Sequence, residues 1–113
     1  MPSTLNAETI DLPEAVVVKI SGEAKIDVSA MDRQFLRLLA RRPPMVVLDL
    51  SELSFCSSLG MGSLMAFRRD IVRCGCRLAL AGIQPFVKES FQRACLLPIF
   101  EVHDTLEGAL AKS

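Results

Sequence analysis

The stretch MVVLDLSELSFCSSLGMG, residues 45–62, joins an almost continuous apolar run to a polar segment and then to a pair of serines and a pair of glycines. The apolar run at residues 45–50 is typical of a strand that is covered on both faces of a parallel sheet. We expect a short loop at residues 51–57 and a helix at residues 58–73. A buried strand followed by a helix predicts one unit of an α/β fold.

Strand patterns occur on both sides of this stretch. Three further segments have the composition of strands: residues 15–21, 76–81 and 99–102. Gly22 is expected to end the first of them, and residues 9–12 are expected to form the other arm of a hairpin with it.

Helical patterns alternate with these strands. Ser29, followed by Asp32, predicts a helix that opens with a variant of the capping box. The buried side of the helix at residues 58–73 is expected to carry Met61, Leu64, Met65 and Val72. A third helix should begin near Pro85, with an apolar stripe of Val87, Phe91, Ala94 and Cys95. A last helix is expected at residues 105–112, capped by Asp104 or Thr105.

The alternation of strands and amphipathic helices predicts a single α/β domain over residues 1–113. Its sheet should be mixed but mostly parallel, with four or five strands and about four helices. Residues 1–8 are expected to form a flexible N-terminal segment.

The composition argues against several classes of protein. A chain of 113 residues is expected to form one domain, and half of them are hydrophobic, which is enough for a core. Thirteen basic and thirteen acidic residues leave no excess charge for binding nucleic acid or an anionic membrane. No apolar run approaches the roughly 20 residues that span a bilayer. Residues 1–11 lack the pattern of a secretion signal, so we expect a cytoplasmic protein without membrane insertion.

The four cysteines are predicted to be small buried apolar side chains. Cys74 and Cys76 are separated by one residue, whereas zinc and dithiol sites favour two, and His103 is the one histidine. Cys56 precedes a helix, where a thiolate is stabilised, but the sequence places no base beside it. We therefore expect no metal, no cofactor and no enzymatic activity.

The serines and glycines between residues 57 and 62 carry the functional hypothesis. Gly60 and Gly62 each destabilise a helix by about 1 kcal/mol relative to alanine, which indicates that a neighbouring strand or another protein approaches closely. Ser57 and Ser58 lie where the helix presents unpaired N–H groups. Either serine can serve as the N-cap, and a phosphate on either one would be partly stabilised there.

The run VVLDLSELSF followed by SSLGMG resembles the STAS domain of bacterial anti-sigma factor antagonists, and the resemblance extends over residues 12–111. It implies a STAS-like fold and a non-enzymatic regulator that acts by partner switching with an anti-sigma factor that is also a serine kinase. Matching the motif places the phosphorylated serine at Ser58, with Ser57 as the second candidate. The partner-binding surface implied by the resemblance consists of Gly22, Glu23, Lys25, Ser57, Ser58, Leu59, Gly60, Met61 and Gly62.

The sequence departs from the family pattern at four positions. Ser57 and Lys25 replace acidic residues, Leu59 is bulkier than the usual residue, and Cys95 replaces a glycine, which we interpret as a packing change. The less negative surface leaves two outcomes open. Either a kinase adapted to it still modifies Ser58, or the domain binds constitutively, as an accessory subunit on a transporter ATPase or another signalling scaffold. We expect a monomer or a weak homodimer.

Overall fold

The computed structural model describes residues 4–111, which form one five-stranded sheet. The strands are β1 (Leu5–Asp11), β2 (Val16–Ala24), β3 (Met45–Cys56), β4 (Arg77–Ala81) and β5 (Glu101–His103). They lie in the order β1-β2-β3-β4-β5. The first pair is antiparallel and the other three pairs are parallel. The predicted α/β class and the mixed, mostly parallel sheet are therefore confirmed.

Helices cover both faces of this sheet. They are α1 (Ser29–Arg41), α2 (Ser58–Arg73), α3 (Pro85–Arg93) and α4 (Leu106–Ala111), with a 3₁₀ turn at Leu97–Ile99. The apolar sides of α1, α2 and α3 pack in one core with Val18 and Leu48. The opposite core contains Val17, Val47 and Ala109 of α4. Successive strand residues point to opposite faces, so an apolar run such as residues 45–48 fills both cores.

Two strands extend further than predicted. The segment from Ser51 to Cys56 belongs to β3 rather than to a loop, because Leu53 and Cys56 bury their side chains in the core. Strand β2 continues beyond Gly22 and pairs with this extension, with a register shift between Gly22 and Glu23. Gly22 has φ +94°, and a Cβ there would lie 1.8 Å from the carbonyl oxygen of Thr4. Gly22 therefore lies at an irregularity within β2, and the prediction that it ends the strand is wrong.

Several predicted helix details are wrong. Asp27, not Asp32, accepts hydrogen bonds from the amide and hydroxyl of Ser29, and Val28 is the N-cap of α1. The buried side of α2 consists of Gly60, Leu64, Phe67 and Ile71. Met65 and Val72 are exposed instead, since each lies away from that stripe on a helix of 3.6 residues per turn.

Two cysteines also differ from the prediction. Cys95 and its neighbour Ala94 follow the end of α3 and are exposed, and Cys74 is half-buried. Cys95 has φ +57°, a backbone conformation that glycine adopts without strain. The glycine found here in the family pattern is thus explained by the backbone and not by packing.

Both ends of the described chain belong to secondary structure. Leu5 to Glu8 lie in β1, so these four residues of the predicted flexible segment are part of the sheet, while residues 1–3 lie outside the described residues. The Thr105 hydroxyl accepts a hydrogen bond from the amide of Gly108 at 2.9 Å, which confirms Thr105 as the cap of α4. The predicted extension of this helix to Lys112 lies outside the described residues.

A half-buried ionic cluster fixes the edge strand β5. Arg77 of β4 donates to both carboxylate oxygens of Glu101 at 2.9 and 2.5 Å, and His103 Nε2 lies 2.6 Å from one of them. Hydrogen bonds from Arg77, and then from His103, lower the pKa of Glu101 from 4.5 to about 2, against the opposing effect of burial.

We predict that this cluster gives the fold an acid-sensitive component of stability. Because the pKa of Glu101 is lower in the folded chain than in the unfolded one, its contribution is complete above about pH 4.5 and is lost as the pH falls towards 2. Urea unfolding of Glu101→Gln should show a smaller loss of stability than wild type between about pH 5 and about pH 2.5. If both proteins lost the same amount of stability as the pH falls over this range, the role assigned to Glu101 would be contradicted.

Candidate functional site

The N-terminus of α2 is tied to the end of β2 by Ser57. Ser57 has extended backbone angles, and its hydroxyl accepts a hydrogen bond from the amide of Gly60 at 3.2 Å. The same hydroxyl donates to the carbonyl oxygen of Lys25 at 2.5 Å, and the Ser57 amide donates to the carbonyl oxygen of Ala24 at 2.8 Å. Ser57 is therefore the N-cap of α2, and its hydroxyl is engaged as both donor and acceptor.

Ser58 differs from Ser57 in both its exposure and its hydrogen bonding. It is the first helical residue of α2 and is exposed, and within residues 4–111 its side chain makes no hydrogen bond. The first turn of α2 contains no acidic residue. A group with negative charge on this hydroxyl would lie at the positive end of the helix dipole, beside backbone N–H groups without helical partners.

The two glycines of α2 have different surroundings. A Cβ on Gly60 would lie 2.8 Å from Cys56 Sγ and 3.1 Å from Ala24 Cβ, so Gly60 lets the helix approach the sheet. A Cβ on Gly62 would meet nothing within 4 Å. The neighbouring-strand explanation therefore holds for Gly60, while the fold gives no reason for Gly62.

The structure brings most of the predicted partner-binding residues to one end of the sheet. Lys25 lies next to Ser57 through its carbonyl, and its ammonium group pairs with Glu23 at 3.4 Å. Leu59 is 52% exposed and Met61 is half-buried. Gly22 lies earlier on β2, paired with Leu53, and its carbonyl accepts a hydrogen bond from the hydroxyl of Ser54.

Sequence reasoning missed two features beside this site. Ile26, in the connection between β2 and α1, is 89% exposed, which is unusual for an isoleucine. An apolar groove lies between α1 and α2 and reaches Ser58 and Leu59 at one end. The only available signal for Ile26 was one apolar residue between two charged ones, and such a residue is ordinary in a core strand or helix.

Cys56 and His103 do not form a catalytic pair. Burial raises the pKa of the Cys56 thiol to about 11, so the reactive thiolate is disfavoured near neutral pH. The His103 ring lies against Glu101 on the edge strand β5, whereas Cys56 ends the central strand β3. In the part of the chain that the structure describes, no helix is long and apolar enough to cross a bilayer.

The two serines should differ in their effect on stability. We predict that Ser57→Ala lowers the free energy of unfolding by about 1 kcal/mol or more, because both hydrogen bonds of the cap are lost. Ser58→Ala, the matched control, should change it by less than about 0.5 kcal/mol. Equilibrium urea unfolding measures both, and a larger loss in Ser58→Ala would mean that the cap is assigned to the wrong residue.

The two glycines should also differ. Gly60→Ala should destabilise the fold by about 1 kcal/mol or more, because the added methyl overlaps Cys56 and Ala24. Gly62→Ala should stabilise it by about 0.5–1 kcal/mol, because alanine has the higher helix propensity and the space is open. Thermal unfolding of the two variants tests the difference, and a destabilised Gly62→Ala would show that this glycine is required by the fold.

Comparison with known proteins places this geometry in a family. The family model of the STAS domain matches residues 5–109. The structure resembles that of an anti-sigma factor antagonist from Mycobacterium paratuberculosis, with 24% identity, TM-score 0.88, and coverage of 98% of this chain and 95% of that one.

Two other solved structures share the fold at lower identity. One is the Bacillus cell fate determinant SpoIIAA in its phosphorylated form, with 22% identity, TM-score 0.70, and coverage of 96% of this chain and 97% of that one. The other is a sulfate transporter family protein from Wolinella succinogenes, with 19% identity, TM-score 0.78, and coverage of 90% and 86%. Because the family model covers almost all of the described residues, this chain belongs to the STAS domain family.

Proposed function

We propose that this protein is a non-enzymatic regulatory module that binds other proteins, as an anti-sigma factor antagonist does. Its partner is an anti-sigma factor with serine kinase activity, and the phosphorylated residue is Ser58. One observation carries the proposal: the Ser58 hydroxyl is exposed and free of hydrogen bonds within residues 4–111, while the adjacent Ser57 hydroxyl is engaged on both sides. A kinase therefore meets one available hydroxyl at the start of α2.

The surroundings of Ser58 suit a protein partner. Leu59 and Ile26 expose large apolar side chains, and each closely follows one of the two residues, Ser57 and Lys25, that are joined by a hydrogen bond. Glu23 and Lys25 add one charge of each sign, and Glu23 is half-buried while Lys25 is exposed. Exposed apolar residues rimmed by charges are a common composition of protein interfaces.

Phosphorylation of Ser58 would change the surface more than the fold. A phosphate adds about −1.5 to −2 charges, which the N-terminus of α2 partly stabilises. It would occupy the space where the partner contacts the first turn of α2. We therefore expect the unmodified protein to bind the kinase and the phosphorylated protein to be released.

A constitutive binding function is the second candidate. The family's two acidic positions are occupied by Ser57 and Lys25, and Ser57 is used as a structural cap. A kinase that recognises those acids would bind less well here. A sulfate transporter family protein has the same fold, which is consistent with a place for this fold in transport machinery.

One experiment separates the two candidates. The tagged protein is purified from its native cell lysate, incubated with ATP, and analysed by mass spectrometry for bound proteins and phosphorylated serines. We predict a co-purifying serine kinase and phosphate on Ser58, absent from Ser58→Ala and retained in Ser57→Ala. Ser58→Glu should weaken binding of that kinase by about tenfold or more.

Other results would contradict the proposal. An unmodified Ser58 together with a co-purifying ATP-binding transporter subunit would favour the constitutive function. Phosphate on Ser57 with Ser58 unmodified would show that the cap, and not the exposed hydroxyl, is the kinase substrate.

A further inference from the structure

The groove between α1 and α2 shares Ser58, Leu59 and Gly62 with the predicted partner-binding surface but extends beyond it to Leu36 and Asp70. It has a volume of about 530 Å³. Its floor includes the buried rings of Phe35 and Phe67, which stack at a centroid distance of 4.2 Å and an interplanar angle of 6°. Leu36 and Leu59 stand at its sides, 68% and 52% exposed. Large exposed leucines beside an apolar floor are a typical place for a second protein to pack.

Gly62 gives a second, independent observation. It lines the groove, and a Cβ on it would meet nothing within 4 Å. Glycine destabilises a helix interior relative to alanine, and neither a positive φ nor a close neighbour in the described chain requires it here. Close approach of another backbone to α2 would account for a glycine at this position.

The charge of the groove restricts what can bind. Asp32 and Asp70 are the ionisable residues that line it, and no lysine, arginine or histidine of the described chain does so. Asp70 pairs with the largely exposed Arg69, and Asp32 makes no ion pair within residues 4–111. An apolar groove lined by two carboxylates complements an apolar segment that carries positive charge.

The length of the groove indicates what kind of partner segment would fit it. Leu59 and Asp70 both line it and are eleven positions apart on α2, which corresponds to about 16 Å of helix, or three turns. We propose that this groove binds one amphipathic helix of about three turns from a partner protein, with leucine-like residues on its contact face and lysine or arginine beside them. In helix-in-groove recognition the bound helix places apolar anchors about one turn apart along one face.

Ser58 links this groove to the proposed phosphorylation. It lines the groove end next to Leu59. A phosphate there adds negative charge to a groove that already holds two carboxylates, so it strengthens binding of a basic helix. This link rests on the proposed function, whereas the groove's binding of a basic helix does not. Phosphorylation would thus release one partner at the first turn of α2 and favour another in the groove.

Two synthetic helical peptides test the proposal on the full-length, ¹⁵N-labelled protein. Both are about 14 residues long with leucines at helical spacing, and one carries lysines where the other carries glutamates. We expect the lysine peptide to shift the amide resonances of Leu36, Leu59 and Ala66 and to bind roughly fivefold or more tightly than the glutamate peptide. Equal binding of both peptides, or shifts confined to other surfaces, would overturn the proposal.

Variants locate the contact. Gly62→Leu should weaken binding of the lysine peptide about tenfold, whereas Gln92→Leu, on the exposed side of α3 away from the groove, should not. The double variant Asp32→Asn with Asp70→Asn, which leaves the groove's shape unchanged, should remove the preference for lysine. Ser58→Glu should tighten binding of the lysine peptide about threefold.

The outcomes separate the groove from the kinase contact. Loss of kinase binding in Ser58→Glu with unchanged lysine-peptide binding would support the proposed function and overturn the link to the groove. Concentration-dependent dimerisation in light scattering that Gly62→Leu abolishes would assign the groove to a second copy of this chain and overturn the proposed partner helix.

Discussion

The Ser57 hydroxyl holds together the end of the molecule where we place function. It accepts from the Gly60 amide and donates to the Lys25 carbonyl, so one side chain caps α2 and joins it to the chain leaving β2. Gly60 allows this arrangement, because a larger residue would collide with Cys56 and Ala24. With Ser57 held between these partners, the next residue, Ser58, begins the helix with an exposed side chain. The exposure of Ser58 is thus a consequence of how its neighbour is bonded.

Strand β3 gives this contact its fixed position. Val46, Val47 and Leu48 are completely buried, and β3 is hydrogen-bonded to β2 on one side and β4 on the other. Its C-terminal end, with Leu53 and Cys56 in the core, is followed directly by Ser57, the N-cap of α2. The start of α2 is therefore set by the central strand of the sheet, so the contact surface that we propose there is attached to a fixed element.

Much of this was predictable from the sequence. Residues 45–50 form an apolar run that is typical of a strand between two layers, and the start of α2 followed from its two serines. The extension of β3 was not predictable, because Ser51, Glu52 and Ser54 are polar residues on the exposed side of the strand. The positive φ of Cys95 was also not predictable from its residue type, since glycine adopts this conformation readily and cysteine rarely does.

The candidate site was only partly predictable, because it depends on backbone conformation and helix packing that the residue types do not reveal. Ser57 and Ser58 are identical side chains at adjacent positions, and only the extended backbone of Ser57 decides which one is the cap. The groove depends on the packing of α1 against α2, and no pattern within either helix reports the space left between them. Similarly, Ile26 resembles any core residue until the strand before it is seen to end at Ala24.

We propose above all that another protein contacts the exposed first turn of α2. This contact can be tested by amide hydrogen exchange of the full chain, alone and in complex with its co-purified partner. We expect slower exchange in the complex for residues 58–62 and 23–26, with little change in β1 and α4. Slower exchange confined to β1 or α4, with the first turn of α2 unchanged, would contradict it.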